Sequence, residues 1–122
     1  MLQIRKLFRS FYYAGRGAVL VFKEEQNFRI QLMAALAIIV LMFVLPVKNW
    51  EKVALLLVTA FVLVLELINS IMERLVDMLK PRLHVYVESI KDIMAAAVLL
   101  ASLTALAVGF IIFIPYFINF KF

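Results

Sequence analysis

From Ile93 to Ile114 the sequence runs through IMAAAVLLASLTALAVGFIIFI without one charged side chain. A stretch of that length and character is at home in the hydrocarbon of a bilayer, where only a helix or a closed barrel satisfies its own backbone. The rest of the chain agrees. Its mean hydropathy is +1.05, and 66% of its 122 residues are hydrophobic, where soluble domains have about half. The expectation is an all-α membrane protein of one domain. An amphipathic interfacial helix over residues 2–23 precedes spans over 28–45, 51–79 and 88–114. With no cysteine, disulfides and thiolate metal sites are excluded. A net charge of +5 in so apolar a chain reads as attraction to anionic headgroups rather than to nucleic acid. The N-terminus lacks the apolar core and small-residue cleavage site of a signal peptide.

Punctuation along the chain supports these bounds. In the first segment Ile4, Leu7, Phe8, Phe11, Gly15, Ala18 and Phe22 share one stripe, flanked by Arg5, Lys6, Arg9, Arg16 and Lys23. Such a segment lies in the interface. Glu24-Glu25-Gln26-Asn27 interrupts the apolar pattern, and Pro46, Lys80-Pro81 and Pro115 are read as the stops of the three spans. The loop PVKNWEK is short enough to force an antiparallel hairpin. Cations cluster before the first span and around the second loop (Arg74, Lys80, Arg82, Lys91), against Lys48, Lys52 and Lys121 on the other side. The positive-inside rule then predicts a cytoplasmic N-terminus and second loop, with an external C-terminus.

The second span carries the functional signal. Its uncharged, almost wholly apolar part, Val53 to Leu65, is thirteen residues long, too short for a hydrocarbon core of ~30 Å. The span must continue through Glu66 and Asn69. Glu66, Asn69, Glu73 and Asp77 fall within roughly 80° of arc on one helical face. Ionisable groups in a span are costly unless they pair or line a wet site, so function is the default reading. The competing reading is a polar seam between helices. The acids gather at one membrane face, joined there by Lys91, Arg82 and Arg16. Oxygen ligands with a single His point to a hard cation such as Mg²⁺, and Mg²⁺ beside lysine is equipment for phosphoryl transfer. No GxxxxGK[ST] or Gly-rich kinase loop occurs. A carboxylate-lined ion or proton conductor and a non-enzymatic scaffold are the alternatives.

ELINSIMERLVD, then His84, then SIKDIMAAAVLL, resembles the bacterial diacylglycerol kinase family. The family pattern E-x-x-N-[ST]-x-x-E-x-x-x-D, a His, then K-D-x-x-x-A-A-V-L is met at Glu66, Asn69, Ser70, Glu73, Asp77, His84, Lys91, Asp92 and Ala96 to Leu99. SFYYAGRG and EEQNFRIQL resemble its surface helix and first-span entry. The resemblance implies a homotrimeric membrane kinase with sites formed between subunits, using ATP and Mg²⁺ to phosphorylate the hydroxyl of a membrane lipid in lipid recycling at the cell inner membrane. By motif, Glu66 would be the general base, and Glu25 and Glu73 would hold the metal and nucleotide phosphates. Lys91 would contact phosphate and Asp92 would position it. Asn69 and Gln31 would meet the lipid acceptor. His84 and Arg82 would lie over the nucleotide, with Tyr13 and Lys6 as further nucleotide candidates or plain interface anchors. Asn27 and Ile30 lean toward the undecaprenol-type entry, while Gln31 matches neither type. The acceptor stays open between diacylglycerol and undecaprenol.

Overall fold

The computed structural model describes residues 3–80 and 82–119. It is all-α: α1 spans Ile4–Glu24, α2 Gln26–Val44, α3 Asn49–Asp77 and α4 His84–Asn119. The last three are each long and apolar enough to cross a membrane, and most of their side chains face outward. At 1.5 Å per residue α2 is about 28 Å long, close to a bilayer core, while α3 and α4 reach about 44 and 54 Å. The surplus turns of α3 and α4 lie beyond the end where α2 begins. That is where the polar residues sit.

Local chemistry sets the bounds. The residue before a proline is pushed out of the helical region, and Leu45 before Pro46 is extended (φ −93°, ψ 151°). The Lys48 backbone N–H donates to Glu51 Oε1 at 3.0 Å, closing the first turn of α3. α3 stops at Asp77, and Met78, Leu79 and Lys80 continue as i→i+3 turns. Its end therefore falls before Lys80-Pro81, and Pro81 itself lies outside the described residues. Leu2 and Lys121 lie outside them too.

Two expectations about the last span are corrected. α4 begins at His84, inside the stretch read as a connector, where the Val87 N–H bonds to Leu83 O. It also runs through Pro115 to Asn119. Proline removes one donor near the helix end, and a last turn anchored elsewhere tolerates that loss. The anchor is the Tyr116 hydroxyl, which donates to Glu51.

The core lies at the Pro46 end, where Met42, Leu45, Val47, Leu55, Ile112 and Phe113 form one cluster. α3 packs most extensively on α4, less on α2, and least on α1. An apolar groove of about 520 Å³ opens beside α2 and α4, with Gln31 and Ser102 among its lining and Thr59 on its α3 side. α1 buries only Val21. Its aromatic and aliphatic residues stand exposed.

Candidate active site

The buried positions of α3 form one stripe: Glu51, Leu55, Val62, Glu66, Ser70 and Val76. The seam that seals the core thus turns polar at Glu66 and Ser70 before closing on Val76. Glu66 is 4% exposed and Ser70 2%. Residue counting explains what faces them. Glu66 lies about 26 Å along α3, and α2 runs back about 27 Å from Val44 to Gln26. The joint between α1 and α2 therefore comes level with Glu66. That joint is Glu25, extended (φ −110°, ψ 111°) between the two helices.

Hydrogen bonds knit the joint to α3. The Ser70 hydroxyl donates to Glu25 Oε1 at a long 3.5 Å. Asn69 Nδ2 donates to Glu73 Oε1 at 3.2 Å. The carboxylates of Glu25 and Glu73 both act electrostatically on Glu66. No hydrogen bond among the described residues engages Glu66. Three acids and an amide are therefore brought together, as the helical face predicts, with Glu25 arriving from another element.

Lys91 comes from the second turn of α4. Its Nζ lies 2.7 Å from Asp77 Oδ1, and the side chain is 33% exposed. The acid that orients the ammonium is Asp77; Asp92, expected in that role, is exposed and pairs with no cation among the described residues. Lys80 also approaches Asp77, at 4.0 Å. The remaining expected contacts are looser. Arg82 is exposed in the turn before α4, and His84 Nε2 lies 3.3 Å from Glu88 Oε1 in its first turn. Gln31 Nε2 donates to Ser102 Oγ at 3.1 Å, tying α2 to α4. Tyr13 stacks edge-on against Tyr12, and neither it nor Lys6 bonds to the α3 face among the described residues.

Residues given no role by the motif reading complete the frame. Ser70, part of the pattern but assigned no task by it, bridges to Glu25. Arg74 pairs with Glu24, and Arg29 Nη1 donates to the Phe22 and Lys23 carbonyls at 2.8 and 3.0 Å. The signal available for Ser70 and Arg74 was their place beside Glu66 on α3, one and two turns on.

Could such a site hold a metal? Among the described residues no three His, Asp or Glu side chains form a ready cage. Mg²⁺ needs less, taking one or two carboxylates and completing its octahedron with water and phosphate oxygens. Glu25 and Glu73 each have one oxygen engaged by a neutral donor, so both keep an oxygen for a cation. The donor set fits a hard divalent ion shared with phosphate.

The sequence matches the prokaryotic diacylglycerol kinase family over residues 12–113, most of the chain and all of this site. The chain belongs to that family. As a prokaryotic diacylglycerol kinase family member it is a lipid kinase and a multi-pass membrane protein, and the family's chemistry implies ATP and a lipid alcohol. It is 29% identical to undecaprenol kinase of Bacillus subtilis over 113 residues, 93% of this chain and 92% of that protein. It is 34% identical to diacylglycerol kinase of Synechocystis over 107 residues, 87% of this chain and 61% of that one. A Helicobacter pylori diacylglycerol kinase is 34% identical over 97 residues, 79% of this chain and 75% of that protein.

Proposed function

We propose that this kinase transfers the γ-phosphate of ATP, with Mg²⁺, to the terminal hydroxyl of undecaprenol at the cytoplasmic face of the cell membrane. The observation that carries the reading is the approach of Glu25 to the Glu66–Ser70–Glu73 face, in a family whose members are lipid kinases. Undecaprenol is favoured over diacylglycerol by Asn27 and Ile30 at the first-span entry and by the relative that matches over nine-tenths of both chains. The cation excess around α1 and the α3–α4 turn supports a cytoplasmic site. The uncovered apolar flanks of α2–α4 leave room for neighbouring copies, in keeping with a homotrimer.

A neutral alcohol is a poor nucleophile. Glu66, close to two other acids and held by no hydrogen bond among the described residues, is free to accept the hydroxyl proton, help worth about 10²–10⁴-fold. Asn69 donates to Glu73 through its amide nitrogen, which leaves its amide oxygen available to the acceptor hydroxyl. Lys91, oriented by Asp77, offers its remaining donors to phosphate oxygens. Glu25 and Glu73 would hold Mg²⁺, which neutralises charge across the phosphates when bound. Most of the acceleration then comes from holding both substrates in line at a site where charge is preset. His84, which opens α4, and Arg82, in the turn before it, would lie over the nucleotide.

The test is a competition. Protein in nanodiscs receives labelled ATP, Mg²⁺ and equimolar undecaprenol and diacylglycerol. Labelled undecaprenyl phosphate should dominate. Label mainly in phosphatidate would reassign the acceptor, and label in neither lipid would remove both.

A further inference from the structure

Glu24 and Glu25 are adjacent in sequence, yet their carboxylates are held by one arginine–serine pair from another helix. Arg74 Nη2 pairs with Glu24 Oε2. Arg74 Nε lies 3.5 Å from Ser70 Oγ, and Ser70 Oγ lies 3.5 Å from Glu25 Oε1. Glu24, Arg74, Ser70 and Glu25 thus close a ring joining the α1–α2 joint to one turn of α3. From the other side, Arg29 fills the free carbonyls of Phe22 and Lys23 at the end of α1, groups a helix terminus otherwise leaves unpaired.

We infer that Arg74 is a positioning residue: with Glu24 it clamps the α1–α2 joint against α3 so that the Glu25 carboxylate stays turned toward Glu66 and Glu73. The inference rests on Glu25 acting on the metal side of the site, as proposed above. Three features carry it. First, Glu25 is the single non-helical residue between two helices, so its side chain takes its direction from whatever fixes the joint. Second, α1 packs on the bundle only weakly and buries Val21 alone, so packing by itself fixes the joint poorly. Third, the ion pair is about half exposed on both sides, and exposed pairs contribute little to stability. What such a pair supplies here is direction. A guanidinium reaches Glu24 and Ser70 at once because its donors are spread over a rigid fork.

The reading separates clamp from metal carboxylate. Mn²⁺, standing in for Mg²⁺, is titrated by electron paramagnetic resonance into protein in nanodiscs with a non-hydrolysable ATP analogue. Arg74→Gln and Glu24→Gln should each weaken Mn²⁺ binding about tenfold, as losing an outer-shell partner typically does, and Glu24→Arg with Arg74→Glu should return it to within about threefold. In turnover, both single variants should raise KM for Mg·ATP more than they lower kcat. Glu24→Gln is isosteric at a half-exposed position, so it tests the clamp even if Arg74→Gln fails to fold. Wild-type Mn²⁺ affinity in both single variants, alongside weakened binding in Glu25→Gln, overturns the clamp and spares the metal role of Glu25. Wild-type affinity in Glu25→Gln overturns both. A swapped pair no better than either single change also overturns the clamp, because the two residues then act separately.

Discussion

α3 buries two glutamates on one stripe, Glu51 in its first turn and Glu66 far along it, and the chain treats them in opposite ways. Glu51 is answered by two donors, both on Oε1. It accepts from the Lys48 backbone N–H and from the Tyr116 hydroxyl, and it lies beside the cluster of Leu55, Ile112 and Phe113. Glu66 is as deeply buried, yet no described hydrogen bond engages it, and its neighbours Glu25 and Glu73 carry the same charge. A buried carboxylate with partners is a fastener. One without them costs stability and is kept for what it does to a substrate.

The largest expected effect breaks the comparison at its active end. Glu66→Gln keeps the shape and removes the base, so kcat should fall by about 10³-fold, or ~4 kcal/mol of transition-state stabilisation. Thermal unfolding in micelles should show no loss of stability, since a like-charge contact is relieved. Retention of most of the activity would take the base role from Glu66. Glu51→Ala should do the reverse. It strands the Lys48 N–H and Tyr116 hydroxyl and frees the last turn of α4 after Pro115, lowering the melting temperature by about 5 °C. KM for Mg·ATP should stay as it was. A kinetic defect in protein that remains folded would mean that the Pro46 end bears on catalysis.

How far this division can be read from residues alone depends on what each signal reports. Periodicity gives the face of one helix, so Glu66, Asn69, Glu73 and Asp77 were visible as a set. Hydrophobic length gives depth, which is enough to bring Glu25 level with Glu66. Neither reports the rotation of one helix against the next. Lys91-Asp92 looks like a pair because the residues adjoin, but neighbours in a helix point about 100° apart, and the acid that meets Lys91 belongs to the facing helix. Proline is read as a stop from its missing donor. The bond between Tyr116 and Glu51 that carries α4 past it is a tertiary fact, and so is the ring through Arg74.

The smallest expected effect tests the boundary between the two ends. Thr59 lies between them on α3, and its hydroxyl is buried without a partner among the described residues. A threonine in a helix can bond back to a carbonyl one turn earlier, but here that bond is absent. An unsatisfied hydroxyl among apolar neighbours costs stability for nothing in return unless a ligand uses it. Thr59→Val keeps the shape and removes the oxygen. If the polar work begins only at Glu66, the variant should melt at the same temperature or up to about 3 °C higher, with kcat and both KM values unchanged. A KM for the lipid acceptor raised several-fold, with KM for Mg·ATP untouched, would carry substrate recognition into the middle of the span. The groove beside α2 and α4, which Thr59 lines, would then belong to the site.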